Sequence, residues 1–211
     1  MSKIQEIAAA VEAGKAKIIG DLVTEALNEG ADPSEILNTG MIDAMAVVGE
    51  RFSKGDIFVP EMLVAARAMK KGVEVLKPHL ASGAAGANGK VILGTVAGDL
   101  HDIGKNLVGM MIESAGFEVI DLGVDVPVEK FVEVVKENPD AKIVALSALL
   151  TTTMPAMRNT VKALSELETH GSFKILVGGA PITPEFAAEI GANAYSPDAA
   201  SAAQKAKELV A

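Results

Sequence analysis

Apolar residues recur at three- and four-residue spacing through the first third of the chain: Ile4, Ile7, Ala8 and Val11, then Ile18, Ile19, Leu22, Val23 and Leu27. That spacing gathers them on one face of a helix, because a helical turn closes every ~3.6 residues. Residues 3–79 read as helical throughout. Within Asn28-Glu29-Gly30-Ala31-Asp32-Pro33, Gly30 suits a helix C-terminus, Asp32 an N-cap, and Pro33 the first residue of a helix running towards Phe52. Ser53-Lys54-Gly55-Asp56 reads as a turn, Pro60 opens a further helix, and Met62 to Leu76 carry its apolar stripe until Pro78. Four helices are enough for a small four-helix bundle.

Beyond residue 90 the pattern changes. Val91 to Val96, Glu118 to Leu122, Ile143 to Ser147, Lys174 to Val177 and Ala192 to Tyr195 are short β-rich runs separated by helical stretches. Strands alternating with helices predict a parallel sheet, and right-handed crossovers cover both of its faces. Five strands in this length fit an α/β, flavodoxin-like (Rossmann-like) doubly wound domain. Residues 81–90 are small and have nothing to bury, as in an interdomain linker. The expected organisation is a helical cap domain over 1–80, a linker over 81–90 and an α/β domain over 91–211.

Composition narrows the function. Hydrophobic residues make up 49% of the 211 residues, yet charged side chains interrupt every apolar run before the ~20 residues that span a bilayer. The first residues turn acidic without an apolar stretch before a small-residue cleavage site, so a cytoplasmic protein is expected, without a membrane partner. A formal charge of -9 argues against nucleic acid, whose phosphates need clustered Lys and Arg. With no Cys, the chain has no disulfide, thiolate zinc site or cysteine-held iron–sulfur cluster, and redox chemistry would have to come from a cofactor or partner. His79, His101 and His170 lie far apart, so an all-histidine metal site would need a coincidence of the fold.

In a flavodoxin-like strand order the loops after the first and third strands flank the ligand crevice. Here these are Ala97 to Asn106, containing Asp99 and His101, and Ser147 to Thr153. An Asp two residues before a His can hold one imidazole nitrogen, fixing the tautomer and leaving the other nitrogen as a base or metal ligand. A loop His preceded by Asp is also common as a plain surface residue; the position at the crevice is what singles out His101. Gly98, Gly104, Gly178 and Gly179 serve either as turn glycines or where a ligand approaches the backbone closely. Gly104-Lys105-Asn106 is not a phosphate-binding P-loop, because Asp99 stands where its first glycine is needed and Asn106 replaces Ser or Thr. No Gly-x-Gly-x-x-Gly follows the first strand, which disfavours a dinucleotide.

Asp99-x-His101-x-x-Gly104, then Ser147-x-Leu149, then Gly178-Gly179 resemble, in order, the signature of the cobalamin-binding domain. The N-terminal helices are similar to the cap domain that precedes it in methionine synthase and in the corrinoid proteins of anaerobic methyl transfer, so the resemblance covers almost the whole chain. It implies a cobalamin bound base-off/His-on, with His101 replacing dimethylbenzimidazole as the lower ligand of cobalt, Asp99 holding the other imidazole nitrogen, and Thr153 as third member of the relay, where the family often has Ser. It also implies cofactor contacts from Gly98, Asp102, Ile103 and Leu149, a crevice lined by Ser147 and Thr151, room for the nucleotide tail at Gly104, Gly178 and Gly179, and Tyr195 and Ser196 near that tail's end. Phe52 and Val59 fall where the cap residues shielding the methyl group lie; in the family's best-known member Leu stands at the Val59 position.

The function this resemblance implies is a non-catalytic methyl carrier. It would accept a methyl group on cob(I)alamin from a substrate-specific methyltransferase for a methylamine, methanol, glycine betaine or an aryl methyl ether. It would pass the group to a second methyltransferase with tetrahydrofolate or coenzyme M as acceptor. A separate reductive activase is expected, since the chain has no Cys of its own. A signalling receiver domain shares the fold and the acidic strand ends at Asp99 and Asp102, but Ser147 stands where its phosphoacceptor Asp belongs and Tyr195-Ser196 where Lys is expected. A mutase module would resemble the chain only from about residue 89, without the Phe52 to Pro60 segment. A cobalamin-dependent regulator would need a DNA-binding domain that this acidic chain does not offer.

Overall fold

The computed structural model of the chain describes residues 2–80 and 88–211; most of the expected linker, 81–87, lies outside the described residues. The described residues group into two compact units, one built on the first helices and one on a β-sheet.

The helical unit contains α1 (Lys3–Glu12), α2 (Ile19–Asn28), α3 (Pro33–Leu37), α4 (Asp43–Ser53) and α5 (Val59–Leu76). Between α3 and α4 the chain stays helical through a π turn, Asn38–Ile42, so Pro33 to Ser53 is one helix, as the sequence predicts. The burial pattern explains the widened turn. Ile36, Leu37, Gly40, Met41, Ala44, Met45, Val48 and Gly49 are buried in pairs four residues apart. A four-residue repeat drifts by about 40° per repeat around an α-helix, and a π turn returns the stripe to the core. Gly40 also permits a close approach, since a Cβ there would lie 3.2 Å from the Ile7 side chain.

The start of this helix follows its sequence signals. Gly30, with φ of +86°, follows α2, and the Asp32 carboxylate accepts the Glu35 N–H at 3.0 Å with Pro33 in the first turn. An Asn/Asp cap is worth about 1 kcal/mol, so Asp32→Ala should lower stability by about that amount in urea unfolding of the cofactor-free chain. The other turn is equally local: Gly55 has φ of +78°, and Phe58 N–H donates to the Glu61 carboxylate at 3.1 Å as α5 begins.

The second unit alternates β1 (Lys90–Thr95), α6 (Ile103–Ser114), β2 (Glu118–Asp121), α7 (Val128–Glu137), β3 (Ala141–Ser147), α8 (Met154–Ser165), β4 (Lys174–Gly178), α9 (Pro184–Glu189), β5 (Ala194–Ser196) and α10 (Ala199–Val210). All pairings are parallel, in the order β2-β1-β3-β4-β5. Right-handed crossovers in this order put α7, α8 and α9 on one face and α6 on the other. Burial on both faces accounts for the unbroken apolar run Ile143-Val144-Ala145-Leu146 in the central strand. Neighbouring β1 and β3 diverge to opposite sides after their C-terminal ends, which makes the crevice between their loops the expected ligand position.

The last strand starts two residues later than the sequence suggests. The Ala192 N–H is taken by Ala187 O behind α9, and Asn193 pairs with Ile175 through both its N–H (2.9 Å) and its side-chain oxygen (2.7 Å). An amide side chain thus replaces one rung before the ladder begins at Ala194. Among the described residues no helix is long and apolar enough to cross a membrane.

Candidate functional site

Asp99 is the centre of the crevice. It lies just beyond the end of β1, fully buried, and its two oxygens accept five hydrogen bonds. Oδ1 takes the His101 N–H at 3.1 Å and the His101 ring Nδ1 at 2.7 Å; Oδ2 takes the Leu149 and Leu150 N–H groups at 2.7 and 3.3 Å and the Thr153 hydroxyl at 2.8 Å. Burial pushes this carboxyl upward, but the Leu149 N–H, the His101 ring, the Thr153 hydroxyl and the His101 N–H outweigh it and hold the group well below the usual carboxylate range. Asp99 is therefore ionised at neutral pH.

An ionised Asp99 fixes the tautomer of its neighbour. A carboxylate only accepts, so His101 Nδ1 carries the proton and Nε2 presents a lone pair. The His101 side chain is 50% exposed, which makes that lone pair accessible. The Thr153 hydroxyl also lies 2.9 Å from Leu150 O, and its single hydrogen favours the charged Asp99 oxygen. The structure thus brings together Asp99, His101 and Thr153, with Leu149 and Leu150 contributing through their backbones.

Three supports of the loop carry no signal in the spacing of its motif. The buried Thr95, last residue of β1, donates its hydroxyl to His101 O at 3.0 Å. Asp125, between β2 and α7, accepts the Gly98 N–H at 2.7 Å and donates its own N–H to Asp99 O at 2.9 Å. Lys105, only 2% exposed, pairs with Asp121 at the end of β2 and donates to Asn106 Oδ1 at 2.8 Å, while Asn106 donates to Asp102 at 3.2 Å. The lysine of Gly104-Lys105-Asn106 is thereby committed to structure.

The remaining residues divide. Gly98 and Asp102 are exposed on the first loop and Ile103 and Gly104 at the start of α6; Leu149 and Thr151 are exposed on the second loop, and Ser147, half-buried, pairs with Thr95 and Gly178. A Cβ at Gly104 would meet nothing within 4 Å. At Gly178 it would come within 2.9 Å of Ser196 O, and at Gly179 within 1.8 Å of Ala148 O, so the chain's own packing requires glycine at both. Tyr195 is half-buried and Ser196 buried at the end of β5. Phe52 and Val59 belong to the helical unit, where Phe52 is half-buried and Val59 and Phe58 are exposed. Leu100 and Ile103 are 73% and 82% exposed, and Leu149 and Leu150 are also exposed. Large aliphatics at such positions mark a ligand or partner surface.

These residues suit a metal that brings its own ring of ligands. Among the described residues no three His, Asp or Glu gather as a cation site, whereas one imidazole is aimed and oriented by a buried carboxylate. One such imidazole and the exposed aliphatics beside it fit a cobalt held in a broad, largely apolar corrin ring.

Comparison with known proteins identifies the family. The B12 binding domain model matches residues 89–204, and a second B12 binding domain model matches residues 3–77. Dimethylamine corrinoid protein 1 of Methanosarcina acetivorans is 44% identical over 209 residues, covering 99% of this chain and 97% of the relative. The crystal structure of a cobalamin-binding protein from Desulfitobacterium hafniense superposes with a TM-score of 0.83 at 33% identity over 99% of this chain and 98% of that one. A chain of the methanol:cobalamin methyltransferase complex of Methanosarcina barkeri gives 0.85 at 28% identity, over 99% of this chain and 79% of that one. With B12-binding models over both units and a relative 44% identical along nearly its whole length, the chain belongs to the family of B12-binding corrinoid proteins.

Proposed function

We propose that the chain is a corrinoid methyl carrier that holds its cofactor base-off/His-on through His101 Nε2. The observation that carries this reading is the 2.7 Å bond from the His101 ring to a fully buried, ionised Asp99, which orients one imidazole and leaves its outer nitrogen free. When bound, the corrinoid supplies the nucleophilic cobalt on which a methyl group is carried. The chain's own residues orient and tune. Asp99 keeps Nδ1 protonated and the ring aimed; Thr153, Leu149 and Leu150 keep Asp99 ionised; Leu100, Ile103, Leu149 and Leu150 receive the macrocycle; Ser147, Thr151 and the open flank of Gly104 border the space beneath it.

His101 would hold the metal through Nε2 while Nδ1–H stays on Asp99, so ligation there would compete with a proton for the same nitrogen. Two methyltransferases are the partners: one specific for the methyl donor and one delivering the methyl group to tetrahydrofolate or coenzyme M. A reductive activase serves the chain, which has no Cys of its own, and the setting is the cytoplasm. The methylamine corrinoid relatives and the methanol:cobalamin methyltransferase complex support a methyltransferase partner.

The purified chain, incubated with hydroxocobalamin and desalted, should retain a corrin absorption band of the histidine-on type that shifts on reduction. A folded protein that emerges colourless would sink the reading.

A further inference from the structure

Asp125 is the one described non-glycine residue with a positive φ, +52°. Its loop runs beside the end of β1 as an extra strip of pairing. The Thr95 N–H donates to Gly123 O and the Val126 N–H to Thr95 O, each at 3.0 Å, and Val96 bridges Val126. Between these rungs the left-handed backbone of Asp125 turns two groups onto one target. Its N–H reaches Asp99 O at 2.9 Å, and its carboxylate folds onto the Gly98 N–H at 2.7 Å. Gly98 itself has φ of +81°, so two consecutive turn residues are gripped from one side chain and one amide.

The side chain of Asp125 is exposed, so its contact with Gly98 buries little apolar surface and contributes little to the core. What it does fix is the backbone that carries Asp99. The Asp99 carboxylate must offer Oδ1 to His101 and Oδ2 to Leu149, Leu150 and Thr153 at once. A small rotation of the Gly98-Asp99 turn would lose one set or the other. We infer that Asp125 is a positioning residue: by clamping the Gly98-Asp99 turn it sets the aim of Asp99 and, through it, of the His101 imidazole towards the corrinoid metal. This rests on the corrinoid reading above and adds to it a residue from a third loop.

Three substitutions separate the clamp from the backbone conformation. Asp125→Asn keeps an acceptor oxygen and tolerates a left-handed φ; Asp125→Gly relaxes the backbone and removes the acceptor; Asp125→Ala removes the acceptor and keeps the strain. In the cofactor-free chain, hydrogen exchange of the Gly98 amide and the 15N shifts of the His101 ring report the turn and the tautomer. In the chain loaded with hydroxocobalamin, the histidine-on band and the dissociation constant report ligation.

Asp125→Gly and Asp125→Ala should each speed Gly98 amide exchange and weaken corrinoid binding about tenfold, the range seen when outer-shell supports of a metal ligand are lost. Asp125→Asn should stay within about twofold of the parent on the same scale. Circular dichroism confirms folding of each variant, and Asp125→Gly decides the matter if Asp125→Ala does not fold. An Asp125→Gly chain with the parent's affinity and histidine-on band would overturn the proposal while leaving the carrier reading intact. A parent chain without a histidine-on band would remove both.

Discussion

Asp99→Ala should destabilise the cofactor-free chain by about 3 kcal/mol in urea unfolding and weaken corrinoid binding by about 10- to 100-fold. The substitution removes an acceptor that sits at zero exposure among the Leu149 and Leu150 N–H groups, the Thr153 hydroxyl and the His101 N–H and ring. Each stranded donor costs about 1–3 kcal/mol, and the exposed loop around them lets water recover part of the loss. Asp99→Asn fills the same volume but sets an NH2 group against donors, so about 2 kcal/mol should be lost even without a cavity.

The acid limb separates the two variants from the parent. Asp99 has its carboxyl depressed in the folded chain, so the unfolded chain binds a proton over a pH range where the folded chain does not. Its contribution is complete above the ordinary aspartate range and is lost as pH falls through that range towards the lower folded value. The stability gap between parent and Asp99→Asn should therefore be constant near neutrality and narrow below about pH 5. A gap that stayed constant down to pH 2 would mean that the folded carboxyl titrates normally.

The parts of this site that were legible in the sequence are those whose partners lie close by or whose side chains announce their role. Asp99 and His101 are two residues apart, and that spacing alone suggests the bond between them. Asp32-Pro33 and Gly30 punctuate the helices by local chemistry, and the change from helical to strand periodicity after residue 90 places β1. Thr153 lies 54 residues from Asp99; strand order puts it in the second crevice loop, and its place in the relay is implied only by the resemblance to cobalamin-binding domains.

What stayed hidden was carried by backbone groups or by topology. Leu149 and Leu150 serve Asp99 through N–H groups, which every residue but proline possesses. Asp125 acts on the loop from the far end of β2, where only strand pairing reveals the proximity, and Thr95 acts through a carbonyl six residues on, which no side-chain motif marks. Gly178-Gly179 also has a local cause that the motif does not reveal: the β3 and β4 ends approach so closely that a Cβ at Gly179 would strike Ala148 O. The π turn was written in the four-residue spacing of Ile36 to Gly49, but periodicity near 3.6 and near 4 is hard to separate over so short a run.

His101→Ala, unlike Asp99→Ala, should lose ligation while largely keeping the fold. The imidazole is half exposed and makes one hydrogen bond, to Asp99, while the alanine retains the backbone N–H that also serves Asp99. Asp99 keeps Leu149, Leu150 and Thr153, so about 1–2 kcal/mol of stability should be lost at most. Ligation has no such reserve, because His101 is the one histidine in the two loops. The histidine-on absorption band and the nitrogen splitting in the cobalt(II) resonance spectrum should both vanish. Added imidazole should restore them by entering the space beside Asp99, whose Oδ1 can hold a free imidazole N–H as it held Nδ1. Cobalt coordination unchanged by the substitution would remove His101 from the mechanism. Loss without rescue by imidazole would show that the ring's attachment to its loop, and not Asp99, sets its aim.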